Sequence, residues 1–265
     1  MYMKKLILVV LLPLFVASCN YISKNSNTNL DQEHLVLATL WFQNSPEAKA
    51  LYYQGFNISK ERVLEFKNDP GEKPKAVVVD LDETMVDNSP FQGKMIETGK
   101  PFSSDFWADW SSKAKAKAMP GAVDFTHFCD SLGVTVIYIS NRGVAELEPT
   151  MKNMTDLGFA FVQKENYLLM DTMSGKEPRR NKISEQYDII LLLGDNLNDF
   201  SQVFENRGDD WGLSLVNEYS KEFGRRFIVF PNPMYGEWEK NIYNHKRNLP
   251  EKERFSLRRK ALVSY

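Results

Sequence analysis

Cysteine is nearly absent from this chain: two among 265 residues, Cys19 and Cys129. One bridge is the most that could form, and none can form if Cys19 is modified. Histidine is as scarce, with three residues and no Arg-His-Gly, which argues against phosphohistidine chemistry. Neither charge sign is in excess: 33 basic against 35 acidic residues give −2, so nothing draws a nucleic-acid polymer. No apolar run is long enough to span a bilayer; Leu6 to Val16 is short and broken by Pro13. Internal repeats and low-complexity tracts are also missing. What remains is ordinary globular composition, 43% hydrophobic and 26% charged, enough for one α/β domain with an embellishment. Aromatics are plentiful (17 Phe, 11 Tyr, 5 Trp), and those not needed in the core can line a binding surface.

The N-terminus reads as a processed segment rather than as part of the fold. Lys4 and Lys5 precede the apolar stretch, and Val16-Ala17-Ser18-Cys19 closes it. Small residues just before a cysteine, at this distance from the start, resemble the bacterial lipoprotein processing box. Residues 1–18 are then a signal peptide and Cys19 carries the lipid. Residues 19–31, polar and rich in Asn and Ser, form a flexible tether. Removing 1–18 deletes Lys4, Lys5 and no acid, moving the net charge from −2 to −4. Cys129 falls in an amphipathic helical stretch and is expected to be a buried small hydrophobe.

The most informative stretch is Ala76-Val77-Val78-Val79-Asp80-Leu81-Asp82-Glu83-Thr84. A short β-branched run that ends in two carboxylates reads as a buried parallel strand with acids at its C-terminal edge. In open α/β sheets ligands bind at that edge. One carboxylate can attack an electrophile while the second handles the proton. The device recurs in Ile189-Ile190-Leu191-Leu192-Leu193-Gly194-Asp195, with Asp199 four residues further on. A third run, Val134 to Ile139, ends in Ser140-Asn141-Arg142. If the three strands are parallel neighbours, one crevice collects four carboxylates, a hydroxyl and an amide. Four acids in one pocket repel, so a cation is required. An all-oxygen ligand set favours Mg²⁺ over Zn²⁺.

The remaining elements are read coarsely. A helix is expected from Gln32 to Phe42. A second runs from Glu47 to Phe66, after Ser45 as cap and Pro46 at the first helical position. The segment from Asp87 to Ala118 lacks strand character and sits where a lid would grow. Met119-Pro120-Gly121 opens a crossover helix, and Pro149 to Leu157 is the next one. Phe159-Ala160-Phe161-Val162 reads as a short strand, Asp188 to Gly194 as another, and Arg226 to Phe230 as the last. The tail from Asn241 to Tyr265 is charged and helical in pieces.

Taken together, Asp-Leu-Asp-Glu-Thr, the Ser-Asn-Arg strand end, a downstream lysine and Gly-Asp-Asn-Leu-Asn-Asp-Phe resemble the haloacid dehalogenase (HAD) superfamily. Within it they look like the class C nonspecific acid phosphatases, bacterial surface lipoproteins also known as 5′-nucleotidases. The likeness extends to Leu40-Trp41-Phe42-Gln43-Asn44-Ser45-Pro46-Glu47, to Tyr53-Gln54-Gly55-Phe56-Asn57 and to Gly175-Lys176-Glu177-Pro178-Arg179-Arg180. Small departures, at Phe91, Val86 and Leu193, avoid the chemistry. The resemblance implies a HAD-like Rossmannoid parallel sheet flanked by helices, with a smaller helical cap at about 87–118 within a domain of residues 32–265. It implies Asp80 as nucleophile and Asp82 as acid and base. Ser140 and Asn141 would donate to phosphoryl oxygens, and Lys176, preferred over Lys182, would neutralise the nucleophile–phosphate pair. Mg²⁺ would be held by Asp80, the backbone carbonyl of Asp82, and Asp195. Asp199 would serve through water or by orienting Lys176. Trp107 and Tyr235, with Phe102, would sandwich a nucleobase. Arg142 could touch substrate or be structural, and His127 is expected at the edge of the core.

These implications describe a Mg²⁺-dependent phosphomonoesterase that takes nucleoside 5′-monophosphates and is lipid-anchored in the bacterial cell envelope, at the outer membrane. Self-association stays open. Two other readings stay open as well. One is a phosphotransferase on the same scaffold, passing the phosphoryl group to an alcohol. The other is a non-catalytic lipoprotein that binds nucleotides or haem-like ligands, which would have no need of Asp82.

Overall fold

The computed structural model describes residues 32–246 and 249–265. The expected signal peptide, the lipidated Cys19 and the tether lie outside the described residues. No helix among those residues is long and apolar enough to cross a membrane.

Five parallel strands form the central sheet: β1 (Lys75–Val79), β4 (Thr135–Gly143), β5 (Tyr167–Met170), β6 (Asp188–Gly194) and β7 (Phe227–Val229), in the order β5-β4-β1-β6-β7. Strand β1 is central because both its faces are apolar. Val77 and Val79 join the larger core with Val136, Tyr138, Leu191 and Leu193. Ala76 and Val78 point the other way, to Ile137, Ile139 and Ile183. That period of two, with no polar residue between Lys75 and Asp80, leaves nothing in that stretch for water.

Helix α2 (Pro46–Phe66) packs on one face beside α5 (Ala122–Ser131), and α7 (Glu177–Ser184) covers the other. The start of α2 follows its sequence signal: Ser45 Oγ accepts from Ala48 N–H at 2.9 Å and Pro46 occupies the first turn. Cys129, on α5, is buried and free, and burial pushes its thiol up to about 12, so it acts as packing. His127 on the same helix is exposed, its ring against the Gly158 carbonyl at 2.7 Å.

From β1 the chain builds outward to β4 and β5, then returns to add β6 and β7 on the other side. The reversal puts a crevice at the C-terminal end of β1, where open α/β sheets bind ligands. Between β1 and α5 rises a small helical layer, α3 (Ser89–Thr98) and α4 (Ser104–Ser112). Its own core joins Phe91 and Met95 to Leu35, with Phe106, Trp107 and Trp110 packed on. The segment, expected to lack strands, carries one short pair at its ends. Val86–Asp87 (β2) pairs antiparallel with Lys117–Ala118 (β3) and pinches the neck.

One expected strand is wrong. Residues Phe159 to Val162 form none; the sheet's third strand in chain order, β5, begins at Tyr167. The Ala160 carbonyl accepts from the Tyr138 hydroxyl at 2.7 Å, and Ala160 N–H donates to Thr126 Oγ1 at 3.2 Å. Phe161 sits at φ +58°, which a strand does not allow. Side chains have taken the hydrogen bonds that a ladder would use. Elsewhere the differences are at element ends: α1 covers Val36–Asn44 after a 3₁₀ turn at Glu33–Leu35, α6 covers Leu147–Asp156, and the tail forms α10 over Glu251–Lys260.

Candidate active site

Register brings the three strand ends together. Val79 lies level with Tyr138 on one side and Leu193 on the other, so Asp80 stands one residue beyond, beside Ile139 and Gly194. Asp80 N–H continues the ladder to Leu193 O at 2.9 Å, which fixes its backbone. Its carboxylate turns to Asp195 and Asp199: one oxygen from each of the three lies within 4.8 Å of the others. Lys176, the residue just before α7, is buried between them, hydrogen-bonded to Asp80 Oδ1 and 2.7 Å from Asp199 Oδ1. Lys182 is exposed on α7 and takes no part.

The electrostatics follow from burial. Burial pushes Asp80 up to about 7, with Lys176 pulling the other way and Asp199 and Asp82 adding to the rise. Burial also raises Asp195 well above the usual carboxylate range, helped by the charges of Asp80 and Asp199 and opposed by a bond from Asn232. For Lys176 burial works against the charge, but Asp199 and Asp80 outweigh it and the ammonium is held. One lysine therefore faces three carboxylates, and the cluster is short of positive charge. The donors are all oxygen, and Asn198, a residue of the same cavity, has its Oδ1 buried without a hydrogen-bond partner. A hard divalent cation fits this set.

Asp82 is held apart from that cluster. Arg142 grips its Oδ1 with Nε at 2.9 Å and Nη2 at 2.7 Å, and Asn88 Nδ2 donates to the same oxygen at 2.8 Å. Asp82 Oδ2 accepts from Ser140 Oγ at 3.2 Å. The crevice thus holds three converging carboxylates and a fourth with its own cation, where the sequence suggested four in common. Arg142 also donates to Thr150 Oγ1 at 3.0 Å, and its guanidinium is 5.6 Å from the Trp107 ring centroid. Arg142 lines the cavity while bound to Asp82.

These groups open into a cavity of about 910 Å³. Asn141 lies on its wall, its Oδ1 accepting from Arg179 Nη2 at 2.6 Å, while Ser140 is fully buried beneath. Phe102, Trp107 and Tyr235 line the same space. Phe102 is largely exposed. Trp107 is pinned at its edge, with Nε1 donating to Glu146 Oε2 at 2.9 Å and the ring set T-shaped on Phe91. The Tyr235 hydroxyl bonds Glu83. Carboxylates, a buried lysine and an aromatic-lined cavity at a parallel strand edge are an arrangement suited to phosphoryl transfer.

Comparison with known proteins agrees. A family model described as HAD superfamily, subfamily IIIB (acid phosphatase), matches residues 16–238. The chain belongs to that family. Two solved structures of the class C acid phosphatase from Bacillus anthracis, one a crystal structure with tungstate bound, are 40% identical to it. Each gives a TM-score of 0.85 and covers 89% of this chain and 99% of the other. A stem 31 kDa glycoprotein of Glycine max is 25% identical over 195 residues, covering 71% of this chain and 67% of that protein. The phosphatase is thus a phosphoric monoester hydrolase on a HAD-like α/β fold.

Several residues that shape the phosphatase site escaped sequence reasoning. Asn232 donates Nδ2 to Asp195 Oδ2 at 2.7 Å and takes the Met234 N–H at 3.0 Å on its Oδ1. Arg180 Nη1 reaches the Asp199 carbonyl at 2.8 Å. Asn88 ties Asp82 to the cap, its Oδ1 accepting from Trp110 Nε1 at 2.9 Å. Only the arginine pair carried a signal, as part of the Lys-x-x-Arg-Arg pattern. Gly194 carries a different constraint. A Cβ there would lie 2.3 Å from Asp199 Oδ2 and 2.5 Å from Asp199 Cβ. Gly194→Ala is expected to push Asp199 off Lys176 and lower kcat/KM by on the order of 10²-fold, the scale of a misplaced positioning group. Steady-state kinetics beside a thermal melt will show it, and an unchanged kcat/KM would mean that Asp199 moves at no cost.

Proposed function

We propose that the protein is a Mg²⁺-dependent acid phosphatase that works through a phosphoaspartyl intermediate on Asp80 and accepts nucleoside 5′-monophosphates. The observation that carries this reading is the division of the acids: Asp80 against Lys176, Asp195 and Asp199, and Asp82 apart in the grip of Arg142. A nucleophile and a proton carrier need separate surroundings, and here they have them.

In the first half-reaction an Asp80 carboxylate oxygen attacks phosphorus. As that bond forms the bond to the leaving oxygen breaks, and Asp82 gives that oxygen a proton from its Oδ2 side, which Arg142 leaves free. In the second, Asp82 takes a proton from water, the water oxygen attacks phosphorus, and Asp80 is released with inorganic phosphate. Lys176 holds Asp80 in line and opposes the negative charge on the phosphoryl oxygens. Asn141 supplies an amide at the cavity wall, and Ser140 orients Asp82 from below. Mg²⁺ bound by Asp80, Asp195, Asp199 and the Asp82 carbonyl would offset the charge of the acids and of the phosphoryl group. Tungstate in a relative's crystal fits the same reading, since it is a tetrahedral oxyanion like phosphate.

The cavity extends well beyond the space a phosphate needs, and its aromatic wall suits a base, because every base has a π-face. Trp107→Ala and Tyr235→Ala are expected to lower kcat/KM for a 5′-mononucleotide far more than for a small alkyl phosphate. Each stacking partner is worth roughly 1–3 kcal/mol. Equal losses on both substrates would reduce these rings to lid packing and the enzyme to a general phosphatase. For the anchor, the support is the Val16-Ala17-Ser18-Cys19 motif: Cys19→Ser is expected to move the protein from the envelope fraction into the soluble one. Unchanged fractionation would remove the lipid from the account.

A further inference from the structure

Glu83 is buried without visible need. It follows Asp82, its side chain is fully covered, and its backbone sits at φ +57°. A non-glycine residue is held there only when its surroundings insist. Glu83 N–H donates to Val86 O at 2.9 Å, and its own carbonyl takes the Tyr52 hydroxyl. Covering an acid in this way costs its hydration. An apolar side chain would fill the space at less cost.

Its two oxygens show what the acid does. Oε1 accepts Asn88 N–H at 2.8 Å, which closes the turn leading into α3. Oε2 takes the hydroxyl of Tyr235, across 152 residues of chain. Each oxygen of the carboxyl group thus meets a different element, the turn into α3 on one side and the Tyr235 loop on the other. Tyr235 meanwhile has its N–H on Asn232 Oδ1 at 3.4 Å. The residue is therefore tied at both ends, by backbone and by hydroxyl, and it lines the cavity.

We propose that Glu83 is a positioning residue for substrate choice: by holding the Tyr235 hydroxyl from beneath, it fixes the ring that ring-bearing phosphomonoesters meet. This rests on the reading that Tyr235 faces the organic part of the substrate. A ring fixed in advance has less freedom to lose on binding, and the gain appears in affinity rather than turnover. Ringless substrates do not use it.

The test compares KM and kcat for a 5′-mononucleotide and for glycerol phosphate in the full chain. The variants are Tyr235→Phe, Glu83→Gln, their double variant and Tyr235→Ala. Tyr235→Phe keeps the ring and removes the tether. It and Glu83→Gln are each expected to raise the nucleotide KM, relative to that of glycerol phosphate, by on the order of three- to tenfold. The ratio of the two kcat values should stay near wild type, and the double variant should lose no more than one single. Losses that multiply in the double variant, or a Tyr235→Phe protein with the wild-type KM ratio, overturn the proposal. If Tyr235→Ala also leaves the ratio alone, the substrate-facing reading of Tyr235 fails; if Tyr235→Ala shifts it and Tyr235→Phe does not, only the tether fails. Should Glu83→Gln not fold, Tyr235→Phe decides alone, since that change lies at the cavity wall.

Discussion

Asp80→Asn is expected to lower kcat/KM by on the order of 10³-fold or more while the protein still folds. An amide is nearly the size of the carboxylate it replaces but is a far weaker nucleophile towards phosphorus. Folding should survive because Lys176 keeps its second partner, Asp199 Oδ1, at 2.7 Å. The change also removes one of three crowded acids, so the metal-free variant should melt no lower than wild type near neutral pH. Two measurements check this: initial rates on an aryl phosphate, and acid-quench trapping of a phosphorylated protein, which wild type should yield and the variant should not. Near-native rates in Asp80→Asn would end the phosphoaspartyl mechanism.

Removing the divalent metal should have an effect of similar size. Exhaustive chelation is expected to cut hydrolysis by about 10²- to 10³-fold, the worth of several kcal/mol of charge stabilisation. Added Mg²⁺ should restore it, since every donor is oxygen. Full activity after chelation would sink the magnesium assignment. Stability gives an independent readout. In the metal-free protein Asp80 holds its proton up to about 7, whereas the unfolded chain releases it near the ordinary carboxylate value. The folded state then binds more protons, so stability falls as pH rises through that window. Asp195, raised in the same direction, extends the trend. The metal-free melting temperature should drop from about pH 4 to pH 7, and Mg²⁺ should cancel the drop by binding only the ionised acids. A metal-free Tm that climbed across the window would contradict the crowding of these carboxylates.

Much of the fold was legible because its signals are local. Ser45-Pro46 marks a helix start within two residues, and the apolar run before Asp80 marks a central strand by having no polar face. The misplaced strand at Phe159 shows the limit of that method. Its composition suits a strand, but whether its backbone joins a ladder depends on Tyr138 and Thr126, which no window around it contains. Composition showed the aromatics only as a surplus, and the family resemblance singled out Phe102, Trp107 and Tyr235. That Trp107 is pinned by Glu146 and Tyr235 by Glu83 required the folded chain.

By itself the sequence determined the chemical inventory: strands that end in carboxylates, a lysine before a helix, and motifs dense enough to name the acid phosphatase family. These are properties of short stretches, written in the order of a few residues. The tertiary structure alone decided how the acids are shared. It drew Lys176 to Asp80 across 96 residues and Arg142 to Asp82 across 60, giving separate partners to two carboxylates that lie two positions apart in the chain. The physical reason is that a charge takes its working state from the partners and the dielectric around it. Those neighbours are chosen by strand order and register, which no local pattern records.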